Sequence, residues 1–131
     1  MDDLKKEILL AAFFFIFFAI AASPFIDGGD TLIYLSGAKG IFEGKGYVDV
    51  STPFEPHITI YPPLFSILLA PFFLFGDNAI LLIKIFIALL AAVSLLITKR
   101  LFQRFFDNNL SLLLTATAGV SLLFYWYSAK I

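Results

Sequence analysis

Uncharged apolar runs alternate with short charged stretches along this chain, and the run lengths set the first expectations. Residues 8–26 carry no charge. At about 1.5 Å of rise per residue, a helix of that length crosses a hydrocarbon core of roughly 30 Å. Ala19-Ile20-Ala21 also resembles a signal-peptide cleavage site. The run is long for a signal core, however, and the head, residues 2–7, is not net positive, so an uncleaved helix is the expectation. Residues 62–75 are apolar but short, and a stretch of about 10–14 residues is more often interfacial or re-entrant than spanning. Pro62-Pro63 suits a helix start, Pro71 would kink the helix, and Gly76-Asp77-Asn78 breaks the pattern. Residues 79–98 are long enough to span and hold one charge, Lys84; Lys99, Arg100 and Arg104 follow. Residues 110–127 are uncharged and also long enough, with Tyr125, Trp126 and Tyr127 where an aromatic belt is expected.

Charge bias chooses between the two topologies these runs allow. If 62–75 does not cross, one side holds Lys5, Lys6, Lys99, Arg100 and Arg104, and the other holds Lys39, Lys45 and Lys130. If it does cross, the bias reverses. The positive-inside rule favours the first arrangement. The fold class expected is therefore an all-α membrane protein in the cell membrane. It has three transmembrane helices (8–26, 79–98 and 110–127) and a cytoplasmic N-terminus. A large extracytoplasmic first loop, 27–78, carries two juxtamembrane helices at about 31–43 and 62–75.

Composition narrows the chemistry. Of the 131 residues 60% are hydrophobic and 15% charged, against about a quarter charged in soluble domains. The net charge of −1 argues against nucleic acid as a partner. With no cysteine and one histidine, thiolate catalysis, cysteine-ligated zinc and a multi-histidine metal site are excluded. No cofactor is implied, and the sequence is silent on a divalent cation.

The polar residues gather in the first loop. Tyr34, Leu35, Ala38, Ile41 and Phe42 fall on one helical face, with Ser36, Lys39 and Glu43 on the other. This predicts a short helix lying in the membrane interface, ended by Gly44 and Gly46, with 47–50 extended after it. Asp30 precedes that helix. The plainer reading is an N-cap, and the sharper one, compatible with it, is a catalytic carboxylate held at the membrane surface. Asp27 is a second acid, separated from it by Gly28 and Gly29. Lys84 sits five residues into its helix, at a depth of about 8 Å; it either snorkels or binds an anion. His57 and Glu55 lie between prolines just before Tyr61. A solvated histidine is the plainer reading of His57. Interfacial anchoring explains Tyr34 and Tyr61 as well as ligand stacking does.

The order of parts resembles a known family. Asp30 is followed by Tyr34, then by "AKGIFEGKGYV", "IYPPLFSILLAPFFLFG", a helix with one basic residue near its start, and "KRLF" at that helix's end. This is similar to the N-terminal region of the C-type membrane glycosyltransferases, above all the protein O-mannosyltransferase and aminoarabinose transferase group. The resemblance covers nearly the whole chain. In that family the first outer loop carries the catalytic carboxylate, often an Asp-Glu pair ahead of a Tyr; here Asp30 matches the Asp and Thr31 stands in place of the Glu. Pro62-Pro63-Leu64 looks like the family's Pro-Pro-Leu opening a juxtamembrane helix.

The resemblance implies an enzyme that moves a sugar from a polyprenyl-phosphate donor to a glycan, lipid or protein acceptor on the extracytoplasmic face. Asp30, with Asp27, would act as general base or orient the nucleophile. Lys84 and His57 would meet the donor phosphate, and Tyr34, Tyr61 and Glu55 the sugar or acceptor. Family members have many more spanning helices, so the resemblance also implies that this chain is an N-terminal fragment, inactive by itself. Two other readings stay open: a small non-enzymatic accessory protein of the membrane, and a piece of a transporter.

Overall fold

The computed structural model describes residues 3–21 and 30–121. Among these the chain is all-helical, with no strand and one isolated antiparallel bridge. The elements are α1 (Asp3–Ala21), α2 (Asp30–Phe42), α3 (Leu64–Leu69), a 3-10 segment (Ala70–Asn78), α4 (Ala79–Phe102) and α5 (Asn108–Val120). They divide into two compact units, residues 1–23 with 84–130, and residues 24–83.

In the first unit α1 and α4 run antiparallel. Phe14 and Phe18 of α1 pack with Ala88 and Leu95 of α4 in one buried cluster. At one end, Glu7 accepts a bond of 2.9 Å from Lys99 Nζ and one of 3.2 Å from Arg100. Lys99 is 1% exposed, so its charge depends on Glu7 for compensation; the Arg100 side chain is 71% exposed. Helix α5 approaches through small residues four apart, Ser111, Thr115 and Gly119, all buried. A methyl group on Gly119 would strike the Phe14 ring and come within 2.9 Å of Leu95. Small residues let helix backbones approach closely where lipid supplies no hydrophobic drive. Asp107 caps α5, accepting from the Leu110 amide at 2.7 Å. The outward faces stay apolar: Ile8, Phe13 and Ile20 on α1 and Ile85, Leu89 and Ile97 on α4 are all exposed.

Of the three predicted spans, one stands among the described residues as a helix long and apolar enough to cross a membrane. It lies in the helical stretch Leu64–Phe102. Its α4 portion, 24 residues, measures about 36 Å. Helix α1 has 19 residues, but Asp3, Lys5, Lys6 and Glu7 occupy its first turns. Helix α5 has 13 residues, about 20 Å. The predicted ends of these two spans, 22–26 and 122–127, lie outside the described residues, as do Tyr125, Trp126 and Tyr127.

In the second unit α2 packs on α3 and on the 3-10 segment. The boundaries follow the sequence closely. Pro63 caps α3, Pro71 opens the 3-10 segment, and Gly76 at φ 55° and ψ −125° separates it from α4. Gly44, at φ 74°, ends α2. The Lys45 amide reaches back to the Gly40 carbonyl at 2.9 Å and the Gly44 amide to that of Ile41 at 3.1 Å, a Schellman closure.

One face assignment in α2 differs from expectation. Ser36 falls on the polar side of the predicted wheel yet is buried, together with Gly37 and Gly40. The following loop lies on that side. Without side chains, Gly37 admits the Tyr47 ring and Gly40 admits the carbonyls of Gly46 and Val48; an added Cβ on Gly40 would stand 2.9 Å from each oxygen. Lys39 and Glu43 of the face read as wet stay exposed, and Ser36 alone of the three is covered by the loop.

Replacing Glu7 by Gln should leave Lys99 buried without a counter-charge. The expected loss of stability lies at the low end of about 3–5 kcal/mol, because the Glu7 side chain keeps some exposure. Arg100→Gln should cost less than about 1 kcal/mol. Unfolding of the two variants in detergent micelles, followed by circular dichroism, measures the difference; equal losses would refute it.

Candidate functional site

The site grows from the α2–loop–α3 arrangement of the second unit. Asp30 is the first residue of α2, where the helix dipole favours a carboxylate. The Tyr61 hydroxyl donates a hydrogen bond to Asp30 Oδ1. Tyr34, one turn along α2, meets the Tyr61 ring edge-on with centroids 5.3 Å apart, and meets Phe65 of α3 in the same way at 5.4 Å. Ser66 Oγ donates to the Tyr34 carbonyl at 2.9 Å, pinning α3 to α2. Asp30, Tyr34 and Tyr61, predicted separately, thus belong to one cluster. The bond to Asp30 is the main reason the Tyr61 phenol is raised above its ordinary value, with partial desolvation second.

The loop between α2 and α3 folds back on itself. Val48 bridges His57, the Asp49 amide donates to the Pro56 carbonyl at 2.9 Å, and the Ile58 amide donates to that of Tyr47 at 3.1 Å. Lys45 closes the base through Glu55 at 2.5 Å and Glu43 at 3.1 Å. The bond to Glu55, then that to Glu43, raises the Lys45 ammonium above its usual value. Glu55, expected to touch sugar or acceptor, is therefore held against Lys45, at a positive φ of 43°.

Asp49 is the residue the sequence reading missed. Its Oδ1 accepts from Ser36 Oγ at 2.5 Å, Ser51 Oγ at 2.5 Å and the Ser51 amide at 3.0 Å. These donors, Ser36 foremost, hold the carboxyl below its usual range against the opposing effect of burial. Asp followed two residues later by Ser is an Asx-turn signal, and it was available in the sequence.

A cleft of about 140 Å³ opens beside these groups, lined by Ile33, Asp49, Pro56, His57, Thr59 and Tyr61 among others. It brings His57 and Tyr61 together with the unexpected Asp49. A second cavity of about 190 Å³ has Lys39, Ser36 and Ser51 at its polar edge and Leu35, Phe73 and Ile80 on its apolar walls. Lys84 opens the other compact unit, half-buried on α4. Asp27 lies outside the described residues. No group of three or more His, Asp or Glu that could hold a metal ion forms among the described residues.

No protein-family model matches the chain, and searches of curated proteins and of solved structures found no match either.

The Tyr61 bond has a pH signature. Because the folded pKa is raised, the bond contributes its full stability below the ordinary phenol value of about 10 and loses it as pH climbs through the folded value. Absorbance titration of the phenolates should show a late component. Tyr61→Phe should remove that component, and its survival in the variant would contradict the assignment.

Proposed function

We propose that this chain belongs to a C-type membrane glycosyltransferase and carries the acidic part of its active site, transferring a sugar from a polyprenyl-phosphate donor to an acceptor. The observation that carries the reading is the Asp30–Tyr61 bond beside Tyr34. It joins an acid and two aromatic rings from three places in the sequence into one cluster. A carboxylate fixed in this way, on a helix start rather than a loose loop, is pre-oriented to take a proton from an acceptor hydroxyl or amine or to align it. The neighbouring rings offer faces for a sugar. His57 lines the adjoining cleft and in this reading would meet phosphate or acceptor.

In this reading the chain sits in the cell membrane with three crossings (8–26, 79–98 and 110–127), a cytoplasmic N-terminus and the 27–78 loop outside. The antiparallel pairing of α1 with α4 supports it. Glu7 near the head of α1 meets Lys99 near the tail of α4, so a chain crossing once in each returns its intervening loop to one side. Arg104 follows on the side of Lys5 and Lys6, as the positive-inside rule asks. The separate α3 and 3-10 segments, broken from α4 at Gly76, suit a stretch lying on the bilayer. Their exposed Leu64, Ile67 and Leu74 would sink into it.

Two measurements test the proposal. In membranes from cells expressing the full-length enzyme that this reading makes the chain a part of, Asp30→Asn should lower transfer from a radiolabelled polyprenyl-phosphate sugar by about 10²–10⁴-fold, with membrane insertion unchanged. Transfer near wild type would remove Asp30 from the chemistry. For topology, a membrane-impermeant maleimide added to intact cells should label Thr52→Cys and spare Gln103→Cys. Labelling of both, or the reverse pattern, would overturn the placement of the loop.

A further inference from the structure

The cleft beside Asp49 has a chemistry of its own. Asp49 Oδ1 is filled by three donors, while no donor among the described residues reaches Oδ2. The backbone pairing of Asp49 with Pro56 and of Val48 with His57 holds the two arms of the loop together, and Asp49 and His57 both line the cleft. His57 and Thr59 add groups that both donate and accept hydrogen bonds, as the hydroxyls of a polyol do, and Tyr61, its proton given to Asp30, adds an acceptor. Ile33, Pro56 and Ile58 give an apolar wall for a C–H face. At about 140 Å³ the cleft is well below the roughly 300–1,000 Å³ of pockets that enclose whole ligands. It takes one ring, not a lipid-linked donor entire.

We propose that Asp49, His57 and Thr59 form a hydroxyl-recognition subsite for a single sugar ring, with Asp49 as its fixed acceptor. The ligand class rests on the glycosyl-transfer reading above; the subsite itself rests on the cleft. Asp49 is assigned to binding, since three donors on Oδ1 favour its ionised form and weaken it as a base. The mixed donor–acceptor lining favours a polyol over a simple ammonium ion, which would leave the Thr59 donor unanswered.

The test uses the full chain in detergent micelles and saturation-transfer NMR with glucose, mannose, galactose and arabinose, and with methylammonium as the rival probe. At least one sugar should bind at millimolar concentration. Asp49→Asn should weaken it about tenfold or more, the scale of a hydrogen bond to a charged acceptor. Thr59→Val, which touches none of the bonds that fold the loop, should weaken it severalfold, and Arg104→Gln should not change it. Binding of none of the four sugars, preference for methylammonium, or wild-type affinity in both Asp49→Asn and Thr59→Val would overturn the subsite. The two proposals fail separately. Sugar binding alongside full transfer by Asp30→Asn would sink the catalytic reading alone. Absence of sugar binding alongside abolished transfer in Asp30→Asn would sink the subsite alone.

Discussion

The hydrogen bond between Ser36 and Asp49 is the contact on which the second unit turns. A loop that buries part of its backbone cannot leave the buried amide groups unpaired. The 44–61 loop meets that constraint by pairing its two arms and by anchoring one carboxylate to α2. Asp49 draws Ser36 from the helix and Ser51 from the loop onto a single oxygen. The bare backbone at Gly37 and Gly40 lets the loop come close enough for this. Once the loop is seated, Tyr61 is delivered to Asp30 at the far end of the same helix. The candidate site is thus a consequence of loop anchoring rather than an addition to it.

The first unit solves a different problem with a related device. Its outward surface is apolar, so burial of side chains discriminates weakly between arrangements of α1, α4 and α5. Specificity comes from the few polar and small positions. Glu7 meets Lys99 only when α1 and α4 are antiparallel and in one register, and Gly119 meets the Phe14 ring only at one height of α5. A buried ion pair is weak evidence for stability, but it is a good selector of register.

Much of this was legible in the sequence where the signal was local. Proline and glycine marked the start of α3, the break at Gly76 and the end of α2, because each residue restricts or frees its own backbone. The run lengths located α4. The cluster of Asp30, Tyr34 and Tyr61 was legible only in part. Asp30 and Tyr34 share a helix face by spacing, but Tyr61 reaches them through a fold-back that no local pattern encodes. Ser36 was misplaced because the helical wheel assigns polar residues to water. The real partner, Asp49, lies 13 positions away, and its Asx turn was read as nothing more than an extended stretch. Glu55 looked available for the same reason, since its tie to Lys45 spans a loop whose closure the composition does not reveal.

Asp30 and Asp49 differ in the hydrogen bonds that hold them. A general base works best when its pKa lies near the operating pH, so that it holds a proton firmly in the transition state. Three donors on Asp49 Oδ1 move it the other way, below the ordinary carboxylate range, and make it a poor base. The same donors make it a permanent, rigid acceptor, which is what recognition of a neutral hydroxyl requires. Asp30 is held by one phenol that itself resists ionisation, a contact that orients the carboxylate without surrounding it. In the proposed reading, binding falls to Asp49 and proton transfer to Asp30. Tyr61, bonded to one and lining the cleft of the other, is the group through which a ligand seated in the cleft would sense both.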